Sequence, residues 1–458
     1  MSSLVVGIDV GTTRVKGIAL DLRGRVCGES ERATPWRYST DGRAEVDPMT
    51  LVQLARQVAA EAATGSQATV DIDARVLAIG VAGMAETGVL VDGRDRPLAP
   101  AIAWHDPRGD VDTIARELGT EAFQITTGLP LTALPTLAKL LWLRDNHPDI
   151  DGAARFYSVA EWVVRELGGE PVAELSLASR TGLFDIGRAR PWDAAFGLLG
   201  WPPLLPEPVL AGTPAGRAGG DSNPAALRGA VLTVAGHDHQ VAAYGVGATT
   251  DGALLDSVGT AEALVRTLRP PLAAERIAAL TAQGMSVGWG VVADHLCVLA
   301  GLPTGLTLNR VAVMLGATSS ADRAALGEQA LATPGEHPTL RLVDPRYGQF
   351  GITGITDGVT PALLWRAIVD GLAAESQRVL AQIDAIAGPY RQIVVTGGWL
   401  HNPALLAAKR RQYPAMRTTA VAEPGAYGAA LLAASAAGLP VPAPPGPTQA
   451  APHRTHGR

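Results

Sequence analysis

Four short stretches of the 458-residue chain gather side chains for which packing alone has little use. The first is "LVVGIDVGTTRVKGIAL" (4–20). Leu4, Val5, Val6 and Ile8 suit a buried strand, and Val15, Ile18 and Leu20 suit its hairpin partner. The corner between them carries Asp9, Gly11, Thr12, Thr13 and Lys16. Backbone N–H groups in such a turn form an anion nest, and the threonine hydroxyls add donors. Asp9 suits Mg²⁺ held through water, and Lys16 suits a phosphate. The alternative is an ordinary tight turn with a surface lysine. The second stretch is "TVAGHDHQVAAYGVGA" (233–248). Asp238 stands where a strand passes into a helix, so it either caps that helix or serves as a general base for a hydroxyl. His237, His239 and Gln240 make its surroundings polar. His-Asp-His lacks the i, i+4 pairing of a helical zinc site, and no third ligand is evident. The third is "GMAETGVLVDGRDRPLAPAIAWHDPRGD" (83–110). Glu86 can accept hydrogen bonds from vicinal hydroxyls, and Trp104 offers an aromatic face to sugar C–H groups. In the fourth, "VVTGGWLHNPALLAAKRRQYP" (394–414), the double glycine allows close approach to the backbone. Asn402 there either caps a helix or hydrogen-bonds an adenine.

These residues need strands and helices to hold them. "RVLAIGVAGM" (75–84) reads as a buried strand, residues 131–149 as a helix, and 392–398 as a strand entering the glycine turn. Residues 361–386 read as a long amphipathic helix, with Leu364, Ile368, Leu372, Val379 and Ile383 on one face. Strand-like and helix-like runs alternate, which predicts an α/β protein. The first hairpin has an echo about half the chain later: "ALLDSVGTAEALV" (253–265) again runs from an apolar strand through Asp to a Gly-Thr turn. Repetition at that distance predicts two related domains, each offering a hairpin. The Pro/Gly-rich stretch 200–224 places the boundary near residue 230. The expected division is one domain over 1–230 and a second over 231–440. Residues 441–458 would form an extended or disordered tail.

Composition narrows the class. A net charge of −6 gives no sign of a nucleic-acid or acidic-membrane partner. Two cysteines, Cys27 and Cys297, make no disulfide framework, which suits a reducing cytoplasm. The start of the chain has no signal-peptide pattern, and no apolar run is long enough for a membrane span.

Taken in order, the motifs resemble the FGGY carbohydrate kinase family of the actin-like ATPase superfamily. "LPTLAKLLWLRDN" (134–146) matches a family signature at Thr136, Lys139, Leu140, Trp142, Leu143, Asp145 and Asn146, departing at Leu134. The resemblance runs from about residue 4 to 435. It implies two ribonuclease-H-like domains flanking a central cleft that takes ATP, Mg²⁺ and a small sugar or polyol. By that resemblance Asp238 is the catalytic base, and Asp9 with Asp238 adjoins the metal. Glu86, Trp104, Asp106, His239 and Gln240 face the substrate. Gly11, Thr12, Thr13, Lys16, Gly259, Thr260, Gly305, Gly397, Gly398 and Asn402 face ATP and its phosphates. A homodimer is a further expectation.

Departures from the family pattern bear on the substrate. A glycerol kinase would carry Arg, Tyr and Gln where Ala85, Leu134 and His239 stand. A xylulokinase would carry Met-His in place of Ala85-Glu86. The G-H-D-H and G-T-A-E-A segments resemble fuculokinase-like branches. The expected substrate is therefore a ketose or polyol larger than glycerol, with His239 titrating near its ordinary value. Trp399 replaces the third glycine of the usual nucleotide turn, and the family's proline-rich loop is missing from 340–356. Two rivals share the fold: a non-catalytic sugar or nucleotide sensor, and an actin-like ATPase that switches partners.

Overall fold

A computed structural model describes residues 3–65, 75–147, 150, 152–333, 339–346, 349–442 and 448–449. The expected tail falls almost wholly outside them. The chain forms two compact units. The first comprises 1–249, 269–297 and 421–446, and the second 250–268, 298–420 and 447–458.

The first unit is built on β1 (Ser3–Val10), β2 (Arg14–Asp21), β3 (Val26–Ala33), β4 (Arg75–Gly83) and β5 (Val231–His237). Their order in the sheet is 3-2-1-4-5. The β1–β2 and β2–β3 pairs are antiparallel, whereas β1–β4 and β4–β5 are parallel. A short strand, Pro214–Arg217, pairs antiparallel on the outer side of β5, and the unit continues past residue 230 to 249. α1 (Pro48–Gly65) and α2 (Thr136–Asn146) also belong to it, as does α3 (Asp238–Gly245), which follows β5 without a loop.

The second unit repeats the plan with β6 (Ala253–Val258), β7 (Glu262–Leu268), β8 (Leu296–Leu302), β9 (Gln392–Thr396) and the short β10 (Arg417–Thr418). They lie in the order 8-7-6-9-10, with β6–β7 antiparallel and β6–β9 and β9–β10 parallel. The echo between the two Gly-Thr segments is thus an echo of whole sheets. Helices α4 (Thr304–Met314), α5 (Ser320–Ala332), α6 (Pro361–Ala387) and α7 (Pro403–Gln412) cover this sheet. α6 starts with Pro361 behind Thr360, whose hydroxyl accepts the Leu363 N–H. Trp365, Ile368, Val369, Leu372, Ser376, Leu380 and Ile383 are buried along one face; of the expected face Ile368, Leu372 and Ile383 are buried, while Leu364 and Val379 are only half-buried beside Trp365 and Leu380.

The chain then returns to the first unit with α8 (Pro424–Ala436). Alternation along β1 sends Leu4, Val6, Ile8 and Val10 into the core shared with α1, while Val5 packs in the core shared with α8. Gly7 and Asp9 share the face of Val5 and so meet α8. The approach is close: a Cβ on Gly7 would lie 1.9 Å from the Ala426 carbonyl oxygen, and one on Gly80 2.1 Å from that of Ala429. α8 also touches α3 backbone to backbone, since a Cβ on Gly428 would meet the Val241 oxygen at 2.2 Å. These glycine contacts bring the N-termini of α3 and α8 to the end of β1 that carries Asp9.

Candidate active site

Asp9 and Asp238 occupy neighbouring ends of the first unit's sheet, one at the end of β1 and the other just beyond β5. Burial pushes the Asp9 carboxyl up to about 7, and the Asp238 charge adds to the rise. Its Oδ1 is buried with no hydrogen-bond partner among the described residues. A Cβ on Gly425 would come within 2.4 Å of Asp9 Oδ2, so only glycine leaves that carboxylate its place. Asp238 is also raised to about 7, by burial first, with the nearby Glu86 charge contributing. Asp238 Oδ1 accepts the His239 N–H at 2.7 Å and lies 3.2 Å from His237 Nε2. Asp238 Oδ2 makes no hydrogen bond to any described residue. His237 occupies the N-cap position of α3 without a side-chain cap hydrogen bond, and Asp238 is the first helical residue, so the capping position considered for Asp238 is not its own.

A buried chain of hydrogen bonds fixes this corner. The His237 N–H donates to Ser176 Oγ at 3.0 Å, and that hydroxyl donates to Glu174 Oε2 at 2.5 Å. The Glu174 N–H in turn reaches Glu161 Oε1 at 2.7 Å. Both acids are raised by burial, Glu161 to about 7 and Glu174 to about 8. Burial also holds His237 and His239 below the ordinary imidazole value. The expectation that His239 titrates near that value is thereby corrected, because the ring has lost water that would stabilise its charge.

Glu86 sits at φ 60°, in the left-handed region that a glutamate rarely adopts. Thr136, the first residue of α2, holds its carbonyl at 3.1 Å. Glu86 Oε1 receives Arg180 Nε at 2.8 Å and Nη2 at 2.5 Å, and Arg180 also contacts Ser286. Trp104 Nε1 donates to Thr12 Oγ1 at 2.8 Å, while Trp36 Nε1 donates to the Thr12 carbonyl at 2.7 Å. Two indoles therefore brace the first hairpin turn, whose Gly11 N–H bonds the Arg14 carbonyl. The backbone N–H of Thr34 reaches the Thr13 carbonyl at 3.0 Å. Lys16 pairs with Glu423, just before α8. Asp106 faces inward: its oxygens accept from Arg108 and from the Ala44 N–H, and its side chain is 0% exposed. These bonds outweigh its burial and hold its carboxyl below the usual range. Gln240 is buried, and its Oε1 has no partner among the described residues.

In the second unit the residues expected to face ATP converge without help from the first. A Cβ on Gly305 would lie 1.9 Å from the Gly259 oxygen, 2.7 Å from that of Thr260 and 2.9 Å from Trp399 Nε1. Gly397, at φ 112°, presses against Val258 at the end of β6, whereas Gly398 faces open space. Asn402 caps α7 by accepting the Leu405 N–H at 3.2 Å, accepts Trp365 Nε1 at 3.3 Å, and donates to the Arg323 carbonyl at 2.6 Å.

Sequence reasoning missed the partners of these residues. Arg180 lies 94 residues from Glu86. Beneath the second hairpin, buried Lys409 donates to Asp256 at 2.7 Å and Glu262 at 2.6 Å. Burial works to raise Glu262, but the Lys409 ammonium outweighs it and holds that carboxyl down. Asp256 and Glu262 both stand in the quoted echo, and two acids in an apolar hairpin were the available signal for a buried cation.

Among the described residues, no three His, Cys, Asp or Glu side chains gather as a metal cage. The Asp9–Asp238 pair fits the other mode of holding Mg²⁺, in which one or two carboxylates share the ion with water and phosphate. The orphaned Asp9 oxygen and the mutual repulsion both favour a cation there. Among the described residues, no helix is long and apolar enough to cross a membrane.

Comparison with known proteins agrees with this layout. Residues 4–245 match the N-terminal domain, and 310–437 the C-terminal domain, of the FGGY family of carbohydrate kinases. A glycerol kinase from Polaromonas naphthalenivorans (strain CJ2) is 31% identical over 477 residues, covering 95% of this chain and 91% of its own. A xylulose kinase structure from Rhodospirillum rubrum superposes with a TM-score of 0.81 at 24% identity, covering 95% of this chain and 90% of that one. A gluconate kinase structure from Lactobacillus acidophilus does so with a TM-score of 0.83 at 18% identity, covering 96% and 90%. The two structural likenesses concern the fold, a pair of ribonuclease-H-like domains of the actin-like ATPase type. With both family domains matched over most of its length, the chain belongs to the FGGY family of carbohydrate kinases.

Proposed function

We propose that the protein transfers the γ-phosphoryl group of ATP to a hydroxyl, in this reading a primary one, of a small sugar, ketose or polyol. Asp238 acts as the general base. The observation that carries this is the state of Asp238: one oxygen is held by the His239 N–H and the other is hydrogen-bonded by no described residue, on a carboxyl raised to about 7. A base poised near neutral pH balances ionised fraction against proton affinity. Asp238 Oδ2 would orient the acceptor hydroxyl and take its proton as the oxygen attacks the phosphorus. Glu86, fixed by Arg180, would read a neighbouring hydroxyl, with His239 and Trp104 lining the same ligand. Mg²⁺, held through Asp9 and Asp238, would supply charge neutralisation for the phosphate oxygens. The Gly11 N–H is closed onto Arg14, so the first turn would meet phosphate through its threonines, with Lys16 exchanging Glu423 for it. In phosphoryl transfer such positioning and electrostatics supply most of the catalysis.

Curated relatives carry the name glycerol kinase, yet Ala85, Leu134 and His239 replace the polar trio expected of a glycerol pocket. The substrate in this reading is a larger ketose or polyol. Cys27 and Cys297 are not joined in a disulfide, which suits a reducing cytoplasm. Asp238→Asn tests the assignment. The amide is nearly isosteric, so ATP binding by calorimetry should persist while kcat falls by about 10²–10⁴-fold. Near-normal turnover across a panel of polyols and ketoses would remove Asp238 from the mechanism.

A further inference from the structure

The turn after β9 combines an open backbone, an aromatic ring and a guanidinium. A Cβ on Gly398 would meet nothing within 4 Å. Trp399 follows it, partly exposed, with its ring 6.2 Å from the buried Trp365 ring. The Arg323 guanidinium lies 5.5 Å over the Trp399 ring. That guanidinium makes no ion pair or hydrogen bond to any described residue. The edge of the same indole is next to the second hairpin, since the Gly305 Cβ position that would clash with Gly259 and Thr260 also lies 2.9 Å from Trp399 Nε1.

Asn402, by contrast, has little left to offer a ligand. Its Oδ1 already accepts two N–H groups, its Nδ2 donates to the Arg323 carbonyl, and the residue is 3% exposed. An asparagine oxygen has two lone pairs, so both are spent. Reading the edge of a base with this carboxamide would require giving up the α7 cap.

We propose that the Trp399–Arg323 pair binds the nucleotide base by stacking, and that this enzyme therefore accepts both adenine and guanine nucleotides as phosphoryl donors. The inference rests on the kinase reading above and names the donor class for that same site. Every base has a π-face, so a stacking platform binds bases with little regard to their edges. Strong discrimination arises when buried polar groups are left unpaired by the wrong ligand. Here the polar group nearest the turn is paired within the protein, so a guanine leaves nothing unpaired that an adenine would satisfy. The guanidinium adds a cation to the stack, and it forms no ion pair with a described carboxylate that a ligand would have to displace.

The test is calorimetric titration of the full chain with MgADP and with MgGDP, followed by steady-state rates with ATP and GTP. The two diphosphates should bind within about tenfold of each other. Trp399→Ala should weaken both by about tenfold or more, the scale of one lost base–aromatic stack. Trp399→Phe keeps a ring and should retain most of the affinity. Arg323→Gln, a change at a partly exposed side chain, should weaken both nucleotides without altering the melting temperature. It keeps the test decisive if the alanine variant fails to fold. MgGDP binding a hundredfold or more weaker than MgADP would overturn the proposal, as would unchanged affinity in both Trp399→Ala and Arg323→Gln. Similar binding of both nucleotides with no phosphorylation of any polyol would sink the kinase reading and leave the base inference standing. Failure to bind either nucleotide would sink both.

Discussion

Asp238 and Asp9 are two carboxylates kept in a place where neither ionises easily. Burial raises both to about 7, and each is therefore sensitive to the charges around it. For Asp238 those charges are Glu86, which raises it, and Arg180, which lowers it. The base must be ionised to act, so kcat/KM should fall on the acid side with a limb near pH 7. Glu86→Gln removes a like charge and should move that limb to lower pH, on top of weakening sugar binding. A limb that stays in place in this variant, with sugar affinity altered, would separate Glu86 from the electrostatics of the base. Asp9, Asp238 and Glu86 were legible in the sequence because each interrupts an apolar run. Arg180 was not, because its meaning comes from a carboxylate 94 residues away. The resemblance put Asp106 beside the substrate, yet its oxygens are engaged by Arg108 and the Ala44 N–H. An acid at a strand end advertises a charge but not the direction it faces.

At the scale of elements, the site depends on how β5 passes into α3. Gly236 at φ 113° turns the chain, and a Cβ there would lie 2.7 Å from Ser176 Oγ. The Ser176 hydroxyl then anchors the N–H of His237, one residue before the base. Ser176→Ala removes the acceptor and leaves that buried N–H unpaired. We expect kcat to fall by about 10-fold, toward 10²-fold if Asp238 shifts by an ångström, with the KM for ATP little changed. In the Asp238→Asn background the same change should have almost no further effect on kcat. An equal loss in both backgrounds would mean that Ser176 serves stability alone. The strands, the long helix α6 and the hairpin echo were readable from periodicity, since each buries a regular face. The helix expected over 131–149 is shorter, Thr136–Asn146, because Pro135 stands at its N-cap and Lys139 folds back to hold the carbonyls of Ala133 and Leu134. The two hairpins also differ in a way that their shared pattern conceals. Asp9 and Asp256 each keep one oxygen with no partner among the described residues, but the other oxygen of Asp256 is bonded by buried Lys409 from α7.

At the scale of the whole molecule, the chain carries one plan twice and has put unlike chemistry on the two copies. The first unit holds the ionisable cluster, and the second holds an internally neutralised one under its Gly-Thr turn. Such doubling was visible as a weak repeat, but the interleaving was not. α8 returns from the end of the chain to the first unit because Gly7 and Gly80 leave room for a helix that no local pattern announces. The buried acids also set how the protein responds to pH. Asp9, Glu161, Asp238 and Asp256 are raised to about 7 and Glu174 to about 8. In the unfolded chain these groups ionise near pH 4. Between those values the folded state binds protons that the unfolded state has released, so stability falls as pH rises through the folded values. His237 and His239 act in the opposite sense, but below about pH 6.5, where the unfolded imidazoles charge. From pH 6.5 to 8 the carboxyls dominate, and the ligand-free melting temperature should drop across that window. Glu174→Gln removes one of these titrations and should shallow the drop. Calorimetric scans at half-unit intervals measure both slopes. A melting temperature that rises from pH 6.5 to 8 would show that these carboxylates are ionised and paired in the folded protein, and would withdraw the raised Asp238 on which the proposed base depends.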